Sequence, residues 1–172
     1  QRIENIGGVV RALMNMGQSA RRLVEPAPFD AERIDAFAHR SGALVAGMTT
    51  HSVLEEALAD CALVVGFSAR RRDQRQHRAW EELGPEIAAR AEAEPIALVF
   101  GREDRGLEND ALDRCGVLTA LPVDPRYPSL NLADAVLLAH YDLRRLSGAG
   151  GGPRAAIGAD EPMASQQEID AL

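Results

Sequence analysis

The sequence predicts an α/β fold built on a parallel sheet. Three observations carry that prediction. Short apolar runs alternate with stretches of helical periodicity along the whole chain. The runs, such as Ala62–Val65 and Ile96–Phe100, are apolar at every position, as expected of strands covered on both faces. The chain has 172 residues, 46% of them hydrophobic and 26% charged, which suffices for one domain with a substantial core.

The elements follow in order. Residues 4–17 read as a helix, because Ile6, Val9, Val10, Leu13 and Met14 recur at three- and four-residue steps and Gly17 supplies a stop. Arg22–Glu25 reads as a short strand ended by Pro26 and Pro28. Asp30 can cap a helix through Arg40 with Ile34, Phe37 and Ala38 turned inward. Ala43–Ala46 is a strand candidate, and His51–Asp60 a helix with Val53, Leu54, Ala57 and Leu58 on one face. Ala62–Gly66 is a buried strand, followed by an arginine-rich loop. Trp80–Glu94 is mostly helical, with Pro85 marking a break or a new first turn. Ile96–Phe100 is the clearest buried strand, and residues 101–106 are a glycine-bounded loop. Asn109–Cys115 makes a short helix, Val117–Val123 a last strand, and Leu130–Leu146 a long helix behind Pro125 and Pro128. The expected organisation is a domain over 1–146, a Gly/Pro-rich linker over 147–163, and the start of a helical extension over 164–172. In that last part Ser165–Glu168 has the form of a capping box.

The net charge of −7 argues against a protein that binds nucleic acid by bulk charge alone. The positive charge is nevertheless patterned: all 19 basic residues are arginine, a side chain whose planar fork suits phosphate. Arg70, Arg71, Arg72, Arg75 and Arg78 fall within nine residues, around His77. Five like charges repel each other, so the run calls for a partner. Phosphate groups are the partner such a run suits, with the acidic stretch at Glu81, Glu82 and Glu86 as the intramolecular alternative. Cys61 and Cys115 match neither a disulfide framework nor a zinc spacing and are expected to be buried thiols. His39, His51, His77 and His140 have no ligand spacing, and no metal is expected. Trp80 is expected in the core. Gln1 leads straight into charged residues, and no apolar run nears the ~20 residues of a membrane span. A cytoplasmic protein is therefore expected.

Three loops could carry chemistry. At the first helix, Glu4 and Asn5 can act as caps, and Arg11 lies further along, where a carboxamide and a guanidinium could meet. Phe100–Leu107 follows a buried strand and opens a helix, the place where open α/β sheets bind ligands, and its glycines permit close backbone approach. It has neither a Gly-Lys-Ser/Thr phosphate loop nor a dinucleotide glycine fingerprint. In Pro122–Leu132, Ser129 can cap the long helix, and Ser129 with Asn131 offers a hydroxyl, a carboxamide and free N–H groups to one ligand.

Taken together and in this order, the stretches ENIGGVVRALMNMG, ALVFGREDRGLEND and LPVDPRYPSLNLADAVLLAHYDL resemble the three motifs of the SpoU (TrmH-like) branch of the SPOUT RNA methyltransferases. VVGFSAR at Val64–Arg70 is similar to a further loop of the TrmJ-like subgroup. The resemblance spans about residues 3–146. It implies a parallel α/β domain whose C-terminal part is threaded as a trefoil knot, a homodimer, and S-adenosylmethionine bound in the knot. The implied activity is methylation of a ribose 2′-hydroxyl of RNA, tRNA first and rRNA as the alternative, with position 32 of the tRNA anticodon loop as the subgroup's target. Matched residue by residue, it implies catalytic roles for Asn5, Arg11, Glu103, Ser129 and Asn131. Cofactor contacts are implied at Phe67, Ser68, Ala69, Gly101, Leu121, Ser129, Leu130 and Asn131. The arginine run directly follows the strand whose end should meet the cofactor, so Arg70, Arg71, Arg72 and Arg75 are expected to contact RNA phosphates. Phe67 departs from the Thr-Ser-Ala triplet usual at that loop, so its contact would have to be through the backbone. The strand that precedes the first motif in the family is not present here.

In-line methyl transfer from a sulfonium needs a ribose oxygen made more nucleophilic. A guanidinium is too weak a base to take the proton, so Arg11 is read as stabilising the developing alkoxide or clamping a phosphate. A catalytically silent RNA-binding relative of the same fold and a nucleotide-binding oxidoreductase are the competing readings. The intact polar set speaks against the first, and the missing glycine fingerprint against the second.

Overall fold

The computed structural model describes residues 3–18, 22–26, 34, 38, 41–70 and 75–149. The first helix, α1 (Ile3–Asn15), forms as its periodicity predicts. Ile6, Val10 and Leu13 are buried, and the chain leaves the helix through Gly17 at φ +71°. It is followed by β1 (Arg22–Val24), α2 (Gly42–Ala46), β2 (Thr49–His51) and α3 (Leu54–Leu58). Then come β3 (Leu63–Phe67), α4 (Trp80–Arg90), β4 (Ile96–Phe100), α5 (Asn109–Asp113), β5 (Val117–Thr119) and α6 (Leu132–Leu146). Every strand pair is parallel, as predicted. The strands form two groups, a β1–β2 pair and a three-stranded sheet in the order β4–β3–β5.

Helices cover both faces of the three-stranded sheet. On one face Val65 and Val117 pack against Trp80, Leu83 and Ile87 of α4 and Ala139 of α6. On the other, Leu118 and Val99 pack against Leu107 and Leu112 around α5. The alternation of Val117 and Leu118 between the two faces is the two-residue strand period. Trp80 is 3% exposed and donates its ring N–H to Asp142 Oδ2 at 2.9 Å, so it is a core residue as expected.

Helices α1 and α6 run side by side in the same direction. Near their starts Gly8 lies against Ala133, where an added Cβ would come within 3.1 Å of the alanine Cβ. Further along, Ala12 and Leu13 pack with Val136, and the Arg144 guanidinium donates to the Met16 carbonyl at the end of α1. Two ion pairs tie the β1–β2 side to the rest. Arg22 forks onto Asp60, with Nη2 to Oδ2 at 2.7 Å, and this partner holds the Asp60 carboxyl down at about 2. Arg114, just past α5, pairs with Glu55 of α3.

Several local expectations are corrected. Residues 43–46 form the helix α2 instead of a strand, since Val45 N–H donates back to Ser41 C=O at 2.8 Å. The strand of this region is Thr49–His51, which delays the next helix to Leu54. The last strand stops at Thr119, well before Val123. Helix α4 runs through Pro85 without a break, and the proline is exposed there. Strand β4 lies at the edge of its sheet and is half-buried along its length instead of fully buried. Cys61 and Cys115 are partly buried, not enclosed. Burial still lifts the Cys115 thiol to about 11, so it stays protonated at neutral pH. Of the expected helix over 30–40, Ile34 and Ala38 are described. Both are buried, and Ala38 N–H donates to Ile34 C=O at 2.9 Å. The rest of that stretch, Arg71, Arg72 and the segment from Gly150 onward lie outside the described residues.

Candidate active site

The loop after β4 is closed on itself. Arg102 N–H donates to Gly106 C=O at 3.1 Å, and Gly106 N–H donates back to Arg102 C=O at 2.7 Å. Gly106 sits at φ +70°, and at Gly101 a Cβ would lie 2.1 Å from the Gly106 carbonyl carbon. Arg102 is held on Asp104 by two bonds of 3.0 and 3.1 Å. This small, braced loop carries Glu103.

Glu103 gathers the other two segments. Its carboxylate accepts a hydrogen bond from Asn5 Nδ2 in the first turn of α1. It accepts a second, at 3.3 Å, from Asn131 Nδ2 at the start of α6. The parallel packing of α1 and α6 makes this possible by bringing both helix N-termini to one side. A carboxylate there is favoured by both helix dipoles, each worth about 0.3–1 kcal/mol near the surface. Asn131 also caps α6, its Oδ1 accepting from Ala133 N–H at 2.8 Å. The cap is therefore Asn131, not Ser129, which is exposed and two residues earlier.

Arg11 does not join Asn5. Six residues make about one and two-thirds turns of α1, which sets the two side chains about 120° apart around the axis, so they do not share a face. Arg11 is exposed and has no ion pair among the described residues. Arg70 is likewise exposed without such a pair. Arg144 spends its guanidinium on a carbonyl, and each remaining described arginine is paired with a carboxylate. Within the arginine run, Arg75 pairs with Asp113 and Arg78 with Glu86 at 2.6 Å. The repulsion expected of that run is thus relieved within the chain for two of its members.

The ends of the sheet strands supply main-chain groups. Ser68 N–H donates to Thr119 C=O at 2.9 Å and extends the β3–β5 ladder, while its hydroxyl and Arg70 N–H meet at 3.3 Å. The Phe67 ring stacks on Phe100 at 4.4 Å and tilts against Trp80 at 5.2 Å. It is a core side chain, which leaves its backbone alone available to a ligand. Beside it the Thr119 hydroxyl is buried without a partner, a feature the sequence did not signal because the strand was expected to run on. Leu121 packs against the same core cluster, and Leu130 is half-buried next to the α6 cap. This set, main-chain groups near Ser68, Ala69, Gly101, Leu121 and Leu130 with one orphaned hydroxyl, suits the neutral polar edges of an adenosine. A cleft of about 530 Å³ opens between the loops after β3 and β4, with Arg70 and Arg105 facing Asp104, Glu108 and Asp110. Among the described residues no three His, Cys, Asp or Glu side chains converge as metal ligands do, and no helix is long and apolar enough to cross a membrane.

The family model for the SpoU rRNA methylase family matches residues 1–141. The tRNA (cytidine/uridine-2′-O-)-methyltransferase TrmJ of Yersinia enterocolitica is 40% identical over 145 residues, 81% of this chain and 55% of that protein. The tRNA (cytidine/uridine/adenosine-2′-O-)-methyltransferase TrmJ of Pseudomonas aeruginosa is 42% identical over 148 residues, again 81% of this chain and 55% of its own length. The chain thus spans about half the length of the curated relatives it matches. Among solved structures, a probable methylase family protein of Haemophilus influenzae aligns with TM-score 0.80 and 31% identity over 99% of this chain and 71% of its own. TrmJ of Zymomonas mobilis (Z. mobilis ZM4) aligns with TM-score 0.76 and 30% identity over 83% and 64%.

Proposed function

Since the chain belongs to the SpoU rRNA methylase family, we propose that it is an S-adenosylmethionine-dependent ribose 2′-O-methyltransferase acting on tRNA, at position 32 of the anticodon loop. The observation that carries this reading is the single carboxylate of Glu103 held by Asn5 and Asn131, which joins three distant segments into one polar cluster. Bound S-adenosylmethionine would supply a methyl group on a sulfonium, and the leaving thioether is neutral. The main-chain groups near Ser68, Ala69, Gly101, Leu121 and Leu130 would hold it, with Phe67 contributing its backbone. Glu103 fixes the two carboxamides, leaving Asn5 Oδ1, the second N–H of Asn131 Nδ2 and the Ser129 hydroxyl to orient a ribose. Arg11, free of an acidic partner among the described residues, stabilises charge developing on the ribose oxygen.

The two curated relatives named above, from Yersinia enterocolitica and Pseudomonas aeruginosa, act on tRNA by their names, which supports tRNA over rRNA. The test is transfer of a labelled methyl group from S-adenosylmethionine to tRNA, followed by mapping of the modified nucleotide. Label on a ribose of the anticodon loop is expected. Binding of S-adenosylmethionine without transfer to any RNA would favour a silent RNA-binding relative instead.

The protein works in the cytoplasm as a homodimer. Leu138 and Tyr141 of α6 are 42% and 53% exposed, an apolar cost that a second copy would remove. Light scattering at micromolar concentration should give twice the chain mass, and a monomer would exclude this pairing.

RNA phosphates are gripped by Arg70, Arg71 and Arg72. Arg75 was part of the same expectation, but its pairing with Asp113 lowers its share. Replacing Arg70, Arg71 and Arg72 with alanine should flatten the salt dependence of tRNA binding by roughly two to three units and leave cofactor affinity unchanged. An unaltered slope would mean that the RNA lies elsewhere.

A further inference from the structure

The connection from β5 to α6 contains a feature that the proposed chemistry does not use. Between Pro122 and Pro128 the chain makes a tight turn, with Tyr127 N–H donating to Asp124 C=O at 2.9 Å. The Asp124 side chain braces the same turn. It accepts the Arg126 N–H at 2.9 Å and the Arg126 guanidinium at 2.6 Å, and Arg126 holds its carboxyl below the usual carboxylate range. The turn is therefore ordered by three independent bonds and a flanking proline. What it presents is the ring of Tyr127, 80% exposed. The other described aromatic rings are buried or packed on one another, apart from Tyr141 on α6. The turn thus holds out one tyrosine ring, an amphipathic side chain of the kind enriched at interfaces.

Position gives the ring a use. Tyr127 is four residues from Asn131, within about 14 Å by chain reach, and on the same connection as Ser129. A single-stranded nucleotide beside the reacting ribose exposes a base face that an aromatic ring can stack on, whatever the base. We propose that Tyr127 is a positioning residue that stacks on the base of a nucleotide next to the methylated ribose and so holds the RNA strand over the Glu103 cluster. This rests on the reading of the site as a tRNA ribose methyltransferase. The neighbouring Arg126, 88% exposed but tied to Asp124, fixes the turn more than it attracts phosphate.

The test compares Tyr127→Ala, Tyr127→Leu and Tyr127→Phe with the unaltered chain, using tRNA and an anticodon stem-loop bearing a fluorescent base analogue at successive loop positions. Tyr127→Ala and Tyr127→Leu should raise KM for tRNA roughly ten-fold, with kcat within about two-fold and S-adenosylmethionine affinity unchanged. Tyr127→Phe should behave as the unaltered chain, and quenching of the analogue at one loop position should be lost in the alanine and leucine variants. Equal KM in all four proteins overturns the proposal while leaving the methyltransferase reading intact. A leucine variant that works as well as phenylalanine overturns stacking in favour of plain apolar packing. Should the alanine variant turn a dimer into a monomer by light scattering, a second copy covers the ring and the proposal falls. Absence of transfer by the unaltered chain removes both readings. Because the ring is exposed, each variant should melt at the same temperature as the parent.

Discussion

An Arg11→Ala variant is expected to lose at least a hundred-fold in methyl transfer to tRNA while S-adenosylmethionine binds within a few-fold of normal. The magnitude is that of removing one preorganised donor from a centre where negative charge develops. The expectation draws on a contrast among the arginines. Arg102, Arg105 and Arg126 near the site are each engaged with a carboxylate of their own loop or the helix it opens, whereas Arg11 has no such tie among the described residues. A guanidinium already paired with an acid has little field left for a substrate. Single-turnover transfer of labelled methyl groups, with calorimetry for the cofactor, separates the two effects. Near-normal transfer would remove Arg11 from the chemistry.

Gly101→Ala is expected to destabilise the fold by about 3–5 kcal/mol, enough to lower the midpoint of thermal unfolding by roughly 10 °C. The new Cβ would stand 2.1 Å from the Gly106 carbonyl carbon and 2.3 Å from the Leu107 nitrogen. Both are main-chain atoms of a loop locked by two hydrogen bonds, so neither can swing aside. Gly106→Ala makes the control. Its Cβ meets nothing within 4 Å, and only the left-handed backbone at φ +70° opposes it, a cost of about 1–2 kcal/mol. Denaturant or thermal melts of the two variants decide the matter. Equal losses would show that the close approach at Gly101 contributes nothing.

The long periodic segments were legible from the sequence because periodicity needs length to be seen. Helix α1 forms where Ile6, Val10 and Leu13 said it would, and α6 follows Pro125 and Pro128 as expected, from Leu132. Five apolar residues at 42–46 give no such period, and a local bond from Val45 back to Ser41 settled the helix there. The polar cluster was legible in its members, since Asn5, Glu103 and Asn131 each stood at a helix start or in a glycine-bounded loop. Their convergence on one carboxylate was not, because it depends on the parallel alignment of α1 and α6 through Gly8 and Ala133. Phe67 was expected to meet a ligand through its backbone alone, and its ring, stacked on Phe100 and tilted against Trp80, leaves only the main chain for that contact.

The two ends of the Asn131 side chain answer to different demands. Its oxygen holds the first turn of α6, and its nitrogen holds Glu103. Because the backbone N–H of Ala133 can be met only by the oxygen, the nitrogen has no choice but to face the carboxylate, and the helix itself sets the polarity of the amide. Aspartate would serve the helix cap as well. The same exchange would set two carboxylates against each other at the heart of the site. On the proposed chemistry, variation at position 131 is therefore judged by Glu103 and not by the helix cap, and a good score as a cap is a poor guide to which variants keep transferring methyl groups.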